Sequence, residues 1–158
     1  MRKALKDDIP TLIEFMSEFY AESGFHLNPV KAERAFSVII ADQRLGFVWL
    51  IESAEKDVGY IVVSCRFSME HGGFIACIDD FFITRPDRNK GLGSAALIQV
   101  AAFCKKMGIC AVTVEVGLKN NSAKKTYRRI GMIEVPDRQL LTLTLKKPAH
   151  DGSGKFDT

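Results

Sequence analysis

Residues 74–107 read FIACIDDFFITRPDRNKGLGSAALIQVAAFCKKM, and the change of hydrophobic period inside this stretch decides the fold. From Phe74 to Ile83 the residues are mostly aromatic and β-branched, the composition of a strand. From Gly91 to Met107 the period is helical, with Leu92, Ala96, Val100, Phe103 and Met107 on one stripe and Gly108 as the C-terminal stop. Ala111 to Val116 alternates again, with Val112, Val114 and Val116 on one face. This order predicts a right-handed parallel crossover inside an otherwise largely antiparallel sheet.

Working outward, Asp7 or Asp8 can cap a helix whose first turn holds Pro10 and whose apolar face is Leu12, Phe15, Met16 and Phe19. A second helix is predicted from Val30 to Ala41 after the Asn28-Pro29 break. Phe47 to Ile51 and Val58 to Val63, separated by the polar stretch Glu52 to Asp57, read as an antiparallel hairpin, and His71-Gly72-Gly73 is a second turn. Beyond the crossover, Asn120 or Asn121 can cap a short helix through Arg129 that Gly131 ends. Leu141, Leu143 and Leu145 alternate with threonines as a closing strand. A single domain over 1–146 and a disordered tail over 147–158 complete the expected organisation.

The chain has 158 residues, 47% of them apolar and 26% charged, which excludes a wholly disordered, collagen-like or polytopic membrane protein. Its net charge of +3 is too small to imply a nucleic-acid partner. No stretch approaches the ~18 to 20 apolar residues of a membrane span, and the charged N-terminus does not read as a signal peptide. A cytoplasmic location is the expectation. Cys65, Cys77, Cys104 and Cys110 form no CxxC pair and no metal-type cluster with histidine; they read as reduced core thiols, with no metal site.

Two features carry chemistry. Asp79 and Asp80 interrupt an apolar strand, and since neighbouring strand residues face opposite ways, one shares a face with Cys77 and Phe81 and the other with Ile78 and Phe82. A carboxylate buried there without a partner is costly, so at least one faces a cleft or a ligand. The second is Arg88-Asn89-Lys90-Gly91-Leu92-Gly93-Ser94, between strand and helix, where glycines admit close approach and the helix start offers unpaired N–H groups suited to phosphate. Gly91 to Ala96 also fits a dinucleotide motif with Glu115 as the ribose acid. That fold needs the motif in its first strand-helix unit and more parallel units behind it, which the remaining chain does not supply. The P-loop pattern fails because no Gly-Lys-Ser/Thr follows.

Arg88, Gly91 and Gly93, with Asn120, Ala123, Tyr127, Gly131 and Met132 further on, resemble the two landmarks of the GNAT superfamily of general-control-related N-acetyltransferases. The match is specific over 78–132, and Asp79 to Ile83 is similar to the strand of spermidine/spermine acetyltransferases. Asn89, Asp87 and Met132 depart from the usual residues of the pattern. The resemblance implies an α/β (α+β) fold of GNAT type: a mixed, mainly antiparallel sheet flanked by helices, whose parallel strand-helix-strand unit binds acetyl-coenzyme A.

It implies further that main-chain groups of Phe81, Phe82 and Ile83 hold the pantetheine arm and thioester carbonyl, and that Asn89 to Ser94 (Lys90, Gly91, Leu92 and Gly93 between them) hold the pyrophosphate, with Arg88 adding positive field. Asn120 would contact the arm. Tyr127 would lie at the sulfur and protonate it, and Asp79, relaying through water, would deprotonate a small-molecule amine; Asp80 as base, or both acids as an ammonium-binding pair, stays open. The acceptor class, polyamine-like, amino-acid-like or other, is not fixed, and a homodimer is in keeping with the family. A noncatalytic coenzyme A-binding module, acetylation of a protein amine and a nicotinamide-dependent enzyme are the alternatives.

Overall fold

A computed structural model describes residues 1–145; the tail expected at 147–158 lies outside them. Strand β1 (Arg2–Lys3) leads through a 3-10 turn into helix α1 (Ile9–Glu22) and helix α2 (Pro29–Ala41), followed by β2 (Gly46–Ser53), β3 (Lys56–Ser68) and β4 (Gly73–Ile83). Helix α3 (Leu92–Lys106), strand β5 (Ala111–Val114) and helix α4 (Asn121–Arg129) follow. The sheet runs β1-β2-β3-β4-β5, antiparallel except for the β4–β5 pair. This is the expected mixed, mainly antiparallel sheet with a parallel strand-helix-strand unit. No helix among the described residues is long and apolar enough to cross a membrane.

Alternation along β2 and β3 splits the core. Val48, Leu50, Tyr60 and Val62 pack under Leu12, Phe15, Ala32 and Phe36 of α1 and α2. Phe47, Trp49, Ile61 and Val63 pack on the other face under Leu97, Val100 and Cys104 of α3 and Tyr127 of α4. Each fully buried side chain of this size contributes roughly 1.5–3 kcal/mol, so the helices are held by both faces of one sheet. Local signals agree: Asn28 caps α2 by accepting from the Lys31 N–H at 3.1 Å, and Asn120 caps α4 through the Ala123 N–H at 3.1 Å. Asp8 stands at the start of α1, but its carboxylate accepts from the Leu5 N–H at 2.8 Å and from Arg2 instead.

Three expectations need correction. Residues 141–145 form no strand: Leu141, Leu143 and Leu145 are exposed, because alternation makes a strand only where a neighbour supplies the ladder. Cys110 is on the surface, unlike buried Cys104. Most consequential, Ile78 does not share a face with Asp80 and Phe82. Val62 pairs with Asp80 and Val63 with Ile78, so Asp79 is an extra residue, a bulge, and the alternation of β4 reverses there. Ile78 packs toward α3, whereas Phe82 packs toward α1.

The β3–β4 pairing that carries this bulge leaves no room for a side chain at Gly59. A Cβ there would stand 2.1 Å from the Phe82 carbonyl oxygen and 2.9 Å from the Ile83 Cα. Gly59→Ala is therefore expected to lower thermal stability by at least the roughly 1–3 kcal/mol of an overpacked core. Gly117→Ala, where a Cβ meets nothing within 4 Å, is the control, and equal melting temperatures for the two variants would contradict the geometry.

Candidate active site

Parallel pairing of β4 with β5 covers only Ile75–Ile78 against Ala111–Val114. Past that point β4 continues to Ile83 without a strand on that side, and the gap is a cavity of ≈ 750 Å³ lined by both strand ends, the Asn89–Ser94 loop, the Asn120–Tyr127 helix and the end of α1. Main-chain donors and acceptors along the open edge of β4 are thereby left to a ligand. The Ile83 carbonyl is an exception, since it accepts from Arg88 Nε at 2.7 Å.

Helix α3 starts at this cavity. Gly91, its N-cap, has φ +82°, and no side chain caps the helix, so the first-turn N–H groups and the positive end of the helix dipole face the opening. Asn89 has φ +62°; asparagine tolerates this left-handed conformation better than other residues with a Cβ, so the loop can turn here without a glycine. Gly93 lies against Phe81, Thr126 and Ile83, which its Cβ would meet at ordinary contact distances of 3.5–3.7 Å. Of the predicted loop residues, Arg88, Asn89, Gly91, Gly93 and Ser94 line the cavity, whereas Lys90 bonds Asp87 at 2.9 Å and Leu92 packs toward Ile51, Val58 and Ala96.

Asp79 and Tyr127 both line the cavity. Asp79 is exposed, as expected of a bulged residue. Tyr127 is buried, its ring centroid 6.5 Å from that of Phe81. Burial pushes its hydroxyl up to about 12, so it keeps its proton at neutral pH. Asn120 has its side-chain oxygen committed to the helix cap, leaving the amide nitrogen for the cavity.

Asp80 points the other way. Tyr60 donates to its Oδ2 at 3.0 Å from the α1–α2 side. Burial raises the Asp80 pKa above the usual carboxylate value, the Tyr60 hydrogen bond opposes this and the Asp79 charge adds to it. Burial and the two aspartate charges likewise raise Tyr20 on α1. Sequence reasoning did not single out Glu22, which lines the cavity from the end of α1; its partners lie more than sixty positions away, and no local pattern marks it.

The sequence matches the acetyltransferase (GNAT) family over residues 11–132. An uncharacterised N-acetyltransferase of Methanocaldococcus jannaschii is 27% identical over 139 residues, 85% of this chain and 60% of its own. One of Bacillus subtilis is 32% identical over 88 residues, 55% of each chain. The chain thus spans less than two thirds of the length of these curated relatives. Among solved structures, an integron cassette protein from the mobile metagenome of Cole Harbour Salt Marsh superposes with a TM-score of 0.83 at 41% identity, over 93% of this chain and 91% of that one. A predicted acetyltransferase of Clostridium acetobutylicum solved with acetyl-CoA gives 0.75 at 16% identity, over 89% and 94%, a likeness of fold alone.

The Asp80 environment sets a pH dependence. A raised folded-state pKa means the fold resists ionisation, so stability present below the ordinary carboxylate pKa of about 4 is lost as pH rises through the folded value. Asp80→Asn removes that loss and still offers Tyr60 an acceptor oxygen. Its melting temperature is expected to exceed that of the parent at pH 7, with the difference fading toward about pH 3. A variant less stable than the parent at pH 7 would show the carboxylate to be stabilising instead.

Proposed function

Because the chain belongs to the acetyltransferase (GNAT) family, we propose that it moves an acetyl group from acetyl-coenzyme A to the primary amine of a small molecule by direct attack. The observation that carries this reading is the parting of β4 from β5 beside an uncapped helix N-terminus, with Asp79 and Tyr127 in the same cavity.

The residues fit the coenzyme. Main-chain N–H groups from Asn89 to Ser94 would hold the pyrophosphate, the chemistry to which an uncapped helix start with a positive-φ glycine is suited. The open edge at Phe81 and the Ile83 N–H would hold the pantetheine arm, with the Asn120 amide beside it. When bound, the coenzyme supplies an activated thioester carbonyl and a thiolate leaving group.

The chain's own groups then have two tasks. Asp79, exposed in the cavity, accepts a proton from the substrate ammonium, directly or through water, leaving the amine nucleophilic. Tyr127, protonated well above neutral pH, donates at the departing sulfur. A main-chain N–H of the open β4 edge supplies the hydrogen bond that a developing oxyanion needs. The polar loop and the cavity's access to α1 support a small amine, and the exposed Asp79 carboxylate, with no basic partner among the described residues, supports a cationic one.

Two measurements test this. Acetyl-coenzyme A at 100 times its dissociation constant is expected to stabilise the fold by about 2.7 kcal/mol; a thermal shift with nicotinamide dinucleotides alone would overturn the assignment. Tyr127→Phe is expected to lower turnover by roughly 100-fold or more with little change in coenzyme affinity. Near-normal turnover in the folded variant would make Tyr127 a packing residue. In the parent enzyme the Tyr127 proton should cause no alkaline loss of activity below about pH 10, since its pKa is raised to about 12.

A further inference from the structure

Arg88, the first residue of the glycine-loop signature, has its guanidinium already engaged. Its Nε donates to the Ile83 carbonyl at 2.7 Å, one terminal nitrogen meets both Glu22 carboxylate oxygens at 2.9 Å, and its carbon lies 5.3 Å from the Phe82 ring centroid. Arg85 donates to the same carboxylate at 2.9 Å. Glu22 is the last residue of α1, a helix with no basic residue in its final turn. A carboxylate at the negative end of a helix dipole is unfavourable by itself, so the two arginines compensate a charge that the helix would otherwise repel. Partial burial raises the Glu22 pKa and the arginine hydrogen bonds outweigh it, leaving the carboxyl below its usual range.

The contact joins two walls of the cavity. Phe19 of α1 packs on Phe82 at 5.9 Å between ring centroids, and Phe19, Glu22 and Phe25 line the cavity together with the glycine loop. We propose that Glu22 and Arg88 are positioning residues: their ion pair braces the end of α1 against the glycine loop and the end of β4, holding the acceptor side of the cavity in register with the coenzyme side, and Arg88 acts as this brace and not as a phosphate ligand. The proposal rests on the acetyltransferase reading for its kinetic arm and on geometry alone for its structural arm.

Arginine is required for this role, because only a planar fork spans a main-chain carbonyl and a carboxylate at once, whereas lysine keeps the charge and loses the fork. Four variants of the full chain discriminate: Glu22→Gln, Arg88→Gln, Arg88→Lys and the Glu22→Gln/Arg88→Gln double. The brace predicts that amide hydrogen exchange of residues 19–25 quickens by about tenfold in all four. It predicts an amine KM raised about tenfold with kcat within about twofold, a double variant no worse than either single, and a coenzyme A dissociation constant by calorimetry changed less than about threefold.

The proposal is overturned if Arg88→Gln weakens coenzyme A by about tenfold or more while Arg88→Lys and Glu22→Gln bind it normally, the pattern of a charge on phosphate. Unchanged exchange at 19–25 in Glu22→Gln overturns it as well, reducing the contact to a surface pair. If the parent chain binds no coenzyme A, the acetyltransferase reading fails separately, and the exchange measurements still decide the brace.

Discussion

Strand β4 keeps its parallel neighbour for four residues and then loses it, and the rest of the site depends on that departure. Up to Ile78 the strand is an interior member of the sheet, laddered to β3 on one edge and β5 on the other. Beyond it, the β3 edge is satisfied, and the opposite edge, apart from the Ile83 carbonyl that Arg88 meets, carries main-chain polar groups into a cavity. Leaving such groups without partners in an apolar interior would cost about 1–3 kcal/mol each. An open, ligand-accessible edge avoids this cost, so the geometry that makes a binding cleft also makes the strand tolerable. The Asp79 bulge belongs to the same event, because the extra residue turns the strand as it leaves its neighbour.

The departure is stable because the packing around it is double. Tyr60, fully buried, stands edge-on to Phe36 of α2 and beside Phe82, fixing β3 and the free half of β4 against the helical layer of α1 and α2. On the opposite face, Phe47, Trp49 and Phe103 form a tight aromatic group that anchors α3. Helix α3 therefore begins at the cavity with its other turns immobilised, and its uncapped N-terminus is held in place by packing far from any ligand. Such preorganisation lets a polar loop bind without an ordering cost at the moment of binding.

Much of this was legible in the sequence for physical reasons. The period change between Ile83 and Gly91, the Asn28-Pro29 break, the cap at Asn120 or Asn121, and the glycine loop are local signals, set by residues close in the chain. The bulge was not, because it is a relation between β3 and β4: nothing in Ile78-Asp79-Asp80 says which residue the partner strand skips. Strand β1 escaped for a similar reason, two residues being too few for any period. The leucine alternation at 141–145 misled because pattern describes what a strand would look like and not whether a partner edge reaches it. Glu22 looked like any polar residue at a helix end, since its two arginines come from the far side of the fold.

The bulge also divides the work of the two aspartates, which the sequence alone left open. Without it, consecutive strand residues would lie on opposite faces, and alternation would put Asp80 with Ile78 against α3. With it, Asp80 turns to Tyr60 and becomes a half-buried acceptor that resists ionisation, while Asp79 is exposed in the cavity. Among the described residues no basic side chain pairs with either. On the proposed reading, an incoming ammonium would relieve the repulsion between them, which favours binding and at the same time raises the amine's own pKa, opposing the deprotonation that attack requires. The accessible acid resolves the conflict better than the half-buried one. A proton taken by Asp79 can pass to solvent, whereas one delivered to Asp80 would be retained by an environment that already prefers it.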